Sequence, residues 1–357
     1  MKSEIKPLRF AVLLSTFNGA AYLTALLESI RKQNWPHWDL WIRDDGSHDG
    51  TFEILEDFAM RSKSEGMTGN RVHVIRGENA GISGSFFQLL EQAGDDYGGY
   101  AFCDQDDIWL PEKLERAAQA LKEGQPMLYH ARQWLMDQNS GKRELSARPA
   151  NTGFANALVQ NQVVGCTLVV NSRLRSCVLQ ALRSTDGLHS RIIMHDWWCY
   201  LLGSGIGTIH YDPHPVILFR RHEESTTPVA AGLFEIMRKR LSTFRKHGWS
   251  VSHIMVQAEI LSRHFSSDAS GMEYPGHEQA RSVRDPGVRQ APDQPESPAG
   301  VARCRLPDHH QELLESLLEL RSAGFLKRLR YLFSGKHHRT GLFETAFFRL
   351  LILMKRF

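Results

Sequence analysis

Four times within the first 126 residues, an apolar run of strand length gives way to a helix-period pattern. This alternation confines the chain to a narrow set of folds. The first run is Phe10-Ala11-Val12-Leu13-Leu14, continuous as in a strand buried on both faces. Leu23, Leu26, Leu27 and Ile30 follow at the spacing of one helix face. A strand at 38–43 precedes a helix capped by Asp49, with Phe52, Leu55 and Phe58 inward. Val72–Ile75 precedes a helix opened by Ser83 that carries Phe86, Phe87, Leu89 and Leu90. Gly99–Cys103 precedes a helix with Pro111 in its first turn and Leu114, Ala117, Ala118 and Leu121 on one face. Consecutive βα units predict an α/β fold, a doubly wound and mostly parallel sheet with flanking helices.

Beyond residue 126 the alternation weakens. Short strands are expected at 127–131, 166–170, 206–211 and 215–219, and helices at 171–182, 195–203 and 232–265. Residues 266–310 hold six of the fourteen prolines, four glycines and a single aromatic, Tyr274, a composition expected of a disordered linker. Helical patterning resumes at Gln311. The expected organisation is an α/β domain over 1–230, dividing at about 125/126 into two halves, a basic helical segment over 231–265, the linker, and a helical tail over 311–357.

Bulk properties set limits on function. The 42% hydrophobic fraction supports a substantial core, and a net charge of +3 gives no reason to expect a nucleic-acid partner. The five cysteines, 103, 166, 177, 199 and 304, are odd in number and lack a CxxC pair, so reduced thiols in a cytoplasmic protein are expected. The opening MKSEIKPLRF lacks the apolar stretch of a signal peptide, and no run reaches transmembrane length.

Two acidic clusters close strand-like runs: Asp44-Asp45-Gly46-Ser47 after the second, and Asp104-Gln105-Asp106-Asp107 after the fourth. In open α/β sheets ligands bind outside the carboxyl ends of the strands. Carboxylates repel one another, so gathering them there is costly unless a cation shares the site. No GxGxxG or GxxxxGK[ST] follows the first strand, which argues against dinucleotide oxidoreductases and P-loop enzymes.

The motifs occur in the order found in a known family. They are Val12-Leu13-Leu14-Ser15-Thr16-Phe17-Asn18, Ser29-Ile30-Arg31-Lys32-Gln33, Asp44-Asp45-Gly46-Ser47-His48-Asp49-Gly50-Thr51, Asn79-Ala80-Gly81 and Asp104-Gln105-Asp106-Asp107-Ile108-Trp109. Over roughly residues 8–225 the chain resembles the family 2 glycosyltransferases of GT-A fold. The acidic motif with its following Trp, Gly165-Cys166-Thr167, His195-Asp196-Trp197-Trp198 and Arg221-His222 resemble the bacterial rhamnosyltransferase-like branch.

The resemblance implies roles for these residues. Asp106 and His222 would hold a divalent cation, Mg²⁺ or Mn²⁺. Ser15, Phe17, Asn18, Asp45 and Asp104 would bind the nucleotide, with Phe17 stacked on the base and Asp45 accepting a pyrimidine imide N–H. Asp196 would be the general base of an inverting transfer. Gly165, Cys166, Trp197, Trp198 and Arg221 would face the acceptor or the diphosphate. Asp107 reads instead as part of the cap of the following helix.

The implied function is transfer of a sugar from a nucleotide-sugar donor to a saccharide or lipid-linked saccharide in bacterial surface polysaccharide synthesis. L-rhamnose from dTDP-rhamnose is the favoured donor. A UDP-hexose transferase, a catalytically silent sugar-nucleotide-binding module and a nucleotidyltransferase are the rivals. For the tail, eight Lys/Arg against Glu344 over 324–357 leave two readings open. One is an anionic membrane surface as partner, at the inner face of the plasma membrane. The other is helices packed on the catalytic domain with a solvated basic face.

Overall fold

The computed structural model describes residues 7–64, 69–138, 140–184, 191–221, 251–269, 304–337, 339 and 342–354. Strands β1 (Phe10–Thr16), β2 (Trp38–Asp44), β3 (Val72–Arg76) and β4 (Gly99–Asp104) alternate with helices α1 (Ala20–Arg31), α2 (Thr51–Ser64) and α3 (Gly81–Gln92). They pair in the order β3-β2-β1-β4, all parallel. Residues along β1 and β4 alternate between two cores. Ala11, Leu13, Tyr100 and Phe102 enter one, while Phe10, Val12, Leu14, Ala101 and Cys103 enter the other. That two-sided burial is why these strands read as unbroken apolar runs.

The second half of the sheet is mixed. It contains β5 (Ile108–Trp109), α4 (Lys113–Ala120), β6 (Met127–Asp137), β7 (Arg143–Leu145), the short helix α5 (Phe154–Ala157), β8 (Val169–Asn171), α6 (Ser172–Arg183), α7 (His195–Ile206) and β9 (Thr208–Arg221). The sheet continues from β4 through β8, β6 and β9 to β5, with β7 on β6. Only β6–β9 is parallel there. The expected strand at 166–170 is a 3₁₀ turn over Gly165–Thr167 followed by β8. The two strands expected at 206–211 and 215–219 are one strand, β9. Its register slips where Ala131 faces Asp212 and Arg132 faces Pro215. Pro213 and Pro215 cannot donate to the ladder, so the pairing shifts around them without ending.

The C-terminal helices are α8 (Val251–Ala269), α9 (Asp308–Leu318), α10 (Phe325–Tyr331) and α11 (Leu342–Leu353). Val251, Ile254, Leu261, Leu314, Leu317, Tyr331, Phe348 and Ile352 are buried in the same core as Leu89, Phe102 and Trp197. Of the two readings of the tail, the structure therefore supplies packing on the catalytic domain. The linker expectation over 266–310 falls mostly outside the described residues. At its margins α8 runs on to Ala269, and Leu306 is buried before α9 begins. The structure corrects the expectation of five reduced thiols. Cys177 on α6 is disulfide-bonded to Cys304 across 127 positions, while Cys103, Cys166 and Cys199 are free and buried. A pairing so distant in sequence leaves no spacing signature.

Candidate active site

β1 carries the site because it has neighbours on both sides. In register, Thr16 lies beside Asp44 of β2, and Ser15 lies beside Asp104 of β4. Both acidic clusters thus flank the carboxyl end of one strand, where an open sheet forms a ligand crevice.

The first cluster is fully engaged. Asp44 accepts from Thr16 Oγ1 (3.2 Å), from Ser47 N (3.0 Å) and from the Ser47 hydroxyl. Asp45 pairs with buried Arg43 and accepts from Ala80 N (2.9 Å) and Gly81 N (3.0 Å) at the start of α3. Arg43 also donates to Gln88 Oε1 (3.0 Å) and Glu78 O (2.8 Å), passing close over Gly77, where a Cβ would meet its guanidinium. This network fixes the Asn79-Ala80-Gly81 turn against the strand ends.

The loop after β1 is held equally tightly. Asn18 takes a left-handed backbone (φ 49°), the only non-glycine residue to do so among the described residues. Its N–H donates to Ser47 Oγ (2.8 Å) and its Oδ1 accepts from His48 N (3.0 Å). Ser15 Oγ bonds Ser85 Oγ (2.7 Å). Gln105 clamps Phe17 at both backbone atoms: Phe17 N donates to Oε1 (2.8 Å) and Nε2 donates to Phe17 O (3.0 Å). Gly19 leaves room for this amide, since a Cβ there would overlap it. With its backbone pinned, the Phe17 ring stands 42% exposed, an apolar platform a base can stack on.

The second cluster is built differently. Ligand atoms of Asp104, Asp107 and Cys166 lie within 4.8 Å of one another. Asp107 is fully buried and neither carboxylate oxygen has a hydrogen-bond partner. Burial, and then the neighbouring Asp106 and Asp104, push its carboxyl well above the usual range. Asp104 is pushed up to about 7 by burial, then by Asp106 and Asp196. The reading of Asp107 as a helix cap is corrected. α4 starts at Lys113 behind Glu112, and Asp107 precedes β5 instead. Asp106 is half-buried, and its backbone carbonyl accepts from Arg220 Nε (2.6 Å).

Lys113 supplies partial compensation. It is fully buried, its Nζ donates to Cys166 O (2.6 Å) and lies 3.3 Å from the centre of the Trp109 ring. Burial lowers its pKa to about 8, opposed by the thiols of Cys103 and Cys166 and by Asp107 and Asp104. With one ammonium against three carboxyl groups, Asp107 and part of Asp104 retain protons that a bound cation would displace. Hard oxygen donors with unfilled bonding capacity fit a divalent cation. His222, the other expected ligand, lies outside the described residues.

Asp196 joins this cluster from α7. It is buried in the first helical turn and accepts from Trp197 N (2.6 Å), from the Asn161 side chain and from Gly165 N. Burial raises its pKa to about 6, held in check by those three bonds. Gly165 is close-packed here, since a Cβ would sit 3.0 Å from His195 Nε2 and 3.6 Å from Asp196 Cβ. His195 stacks between Phe86 and Phe102, and burial lowers its pKa to about 3, which keeps it neutral and unsuited to be the base at neutral pH.

The structure therefore gathers Ser15, Phe17, Asn18, Asp45, Asp104, Asp106, Gly165, Cys166 and Asp196 around one strand end. Three expectations meet a different arrangement. Trp197 and Trp198 are 1% and 0% exposed in the core and do not form an open acceptor wall. Helix α7 is buried on every side from His195 to Gly205, which places both rings inward. Arg221 is engaged with Glu144 (2.7 Å) on β7, while Arg220 reaches the acidic loop. Gln105, Lys113 and Arg220 were missed by sequence reasoning. The one available signal was a lysine beside Leu114 and Ala117 on the inward face of α4.

Residues 11–169 match the family model described as Glycosyl transferase family 2. Over this segment the chain is similar to the family 2 glycosyltransferases, and its mixed α/β sheet with acids at the strand ends is consistent with a GT-A fold. The chain is 23% identical over 269 residues to the dTDP-rhamnosyl transferase RfbG of Shigella flexneri, covering 74% of this chain and 90% of that protein. It is 27% identical over 165 residues to the UDP-Glc:alpha-D-GlcNAc-diphosphoundecaprenol beta-1,3-glucosyltransferase WfgD of Escherichia coli, spanning 46% of this chain and 60% of that protein. Among solved structures, S. aureus TarS 1-349 in complex with UDP aligns over 74% of this chain and 73% of its own at 20% identity, with a TM-score of 0.43. Among the described residues no helix is long and apolar enough to cross a membrane.

Proposed function

We propose that this chain is an inverting glycosyltransferase. It moves a sugar from a nucleotide-diphosphate donor to a saccharide or lipid-linked saccharide acceptor in bacterial surface polysaccharide synthesis, at the cytoplasmic face of the membrane. The observation that carries this reading is the convergence of an under-satisfied acidic cluster, a pinned exposed aromatic and a raised-pKa aspartate at the carboxyl end of β1.

Phe17 stacks on the base. Asp45 retains lone-pair capacity for one imide N–H beyond its internal bonds. Asp104 and Asp106, with Asp107 behind them, would hold Mg²⁺ or Mn²⁺, which would supply positive charge to offset that of a departing diphosphate. Asp196 takes the proton from the acceptor hydroxyl as that oxygen attacks the anomeric carbon, and a pKa of about 6 suits a base working near neutrality. One displacement with one base inverts the anomeric configuration.

L-rhamnose from dTDP-rhamnose is the favoured donor, supported by alignment over 90% of RfbG, a dTDP-rhamnosyl transferase by name. A UDP-hexose donor is the second reading, favoured by the resemblance to WfgD, whose name specifies UDP-Glc. The test is nucleoside-diphosphate release from dTDP-rhamnose, UDP-glucose and UDP-galactose with and without Mg²⁺ or Mn²⁺, with NMR of the product anomer. Cation-dependent release with inversion is expected. Binding without turnover for every donor and acceptor tried would leave a silent binding module, and retention of configuration would remove Asp196 as the base of a single displacement.

A further inference from the structure

The C-terminal helices bury most of their apolar side chains, and those they leave uncovered are concentrated. Of ten exposed large hydrophobic side chains among the described residues, five lie between 325 and 354: Phe325, Leu326, Phe333, Leu350 and Met354. Phe333 at 84% and Leu326 at 72% are the two most exposed of the ten, and Phe325 stands at 58%. The segment is anchored. Tyr331 is buried in the core, and Arg349 of α11 donates to Leu332 O (2.7 Å) and His337 O (3.1 Å). His337 is itself buried, its Nε2 3.1 Å from Leu313 O. Phe325, Leu326 and Phe333 are therefore presented by a fixed turn of chain.

The charge on this segment has one sign. Residues 324–337 contain Lys327, Arg328, Arg330 and Lys336 and no acid. Exposed Glu319 of the neighbouring turn pairs with Lys327 (2.6 Å) and also feels Lys336, and one acid against four bases leaves the surface net positive. Exposed apolar tips separated by cations match an interface that is oily below and anionic above. Rings and leucine reach the acyl boundary while ammonium and guanidinium groups stay at the phosphates.

We propose that the segment 325–336 is a docking surface for an anionic phospholipid bilayer, with Phe325, Leu326 and Phe333 as the inserting side chains and Lys327, Arg330 and Lys336 as the phosphate contacts. It stands on this surface alone, so its failure leaves the donor site untouched.

The test is co-sedimentation of the full chain with vesicles of phosphatidylcholine alone or mixed with phosphatidylglycerol. Binding is expected to the mixed vesicles only, and to weaken with salt as the attraction is screened. The triple variant Phe325→Ser, Leu326→Ser, Phe333→Ser and the triple variant Lys327→Glu, Arg330→Glu, Lys336→Glu should each lower the partition coefficient at least about tenfold, while UDP affinity and melting temperature stay unchanged. A Phe333→Trp variant gives a readout that does not depend on the triple variants folding, its emission shifting to the blue on anionic vesicles. Wild-type binding by either triple variant, no Phe333→Trp shift, or a dimer that the serine variant converts to monomer without changing vesicle binding would each overturn the proposal.

Discussion

The two acidic clusters flank the same strand end and are built in opposite ways. In Asp44-Asp45 each carboxylate is held by several of the backbone N–H groups, hydroxyls and the Arg43 guanidinium, with one acceptor position left on Asp45. In Asp104–Asp107 one buried carboxyl has no hydrogen-bond partner, another is held near a pKa of about 7, and a single buried lysine stands against three acids. A buried carboxylate held by several donors stabilises a fold, whereas one with no donors costs stability unless something else binds it. On the proposed reading the first cluster is scaffold for the nucleotide loop, and the second is where a cation and the donor would complete the bonding.

That contrast predicts which variants lose activity and which lose stability. The largest effect belongs to Asp196→Asn. The amide is nearly isosteric but cannot take a proton, so kcat should fall by about 10²–10⁴-fold with donor affinity and melting temperature kept. Transfer within a few-fold of wild type would place the base elsewhere.

Asp45→Ala should act on the fold. It strands buried Arg43 and two backbone donors, and breaking such a pair costs about 3–5 kcal/mol in denaturant unfolding. Asp107→Asn should cost little or stabilise the cation-free protein, because it replaces a buried carboxyl whose ionisation is disfavoured by an uncharged isostere. Equal destabilisation by the two variants would erase the distinction between the clusters.

A pH dependence follows from the same asymmetry. Asp104 is raised to about 7 and Asp196 to about 6 by burial, against about 3.9 for an unfolded aspartate. The stability these two aspartates contribute is therefore full below about pH 4 and is lost as pH rises through about 6 to 7, while buried His195 and His130, lowered to about 3 and about 4, act in the opposite direction. Thermal melts in chelator should isolate the aspartate part as a difference: Asp104→Asn should gain stability relative to wild type as pH rises from about 4 to 7.

The smallest effect is expected from Gln105→Ala. It removes two hydrogen bonds that pin Phe17, each worth about 1 kcal/mol, so the donor KM should rise several-fold to about thirty-fold with kcat little changed. A pure kcat loss would show that Gln105 touches the reacting groups instead.

Much of this was legible in the sequence, and unevenly. The β1–β4 units could be read because strands buried on both faces write continuous apolar runs, and the acids stand where those runs stop. The rest depended on tertiary context. β9 read as two strands because Pro213 and Pro215 mimic a break. Trp197 and Trp198 read as a sugar-facing wall because two adjacent tryptophans after an aspartate do not announce that their helix is buried all round. Lys327, Arg330 and Lys336 of the tail are exposed while Leu314 and Leu317 reach a core built 200 positions earlier, which no local period reveals. Asp107 looked like a cap because Pro111 signals a nearby helix, yet that helix starts later and turns the carboxylate inward.

The most direct test of the central claim is calorimetric titration of UDP and dTDP into the full chain, with Mn²⁺ or Mg²⁺ and in chelator, for wild type and Asp106→Ala. The account predicts binding of both pyrimidine diphosphates that requires the cation, weakens sharply in Asp106→Ala and exceeds the affinity for GDP. Equal affinity with and without the cation, or an Asp106→Ala variant that binds as wild type does, would contradict it.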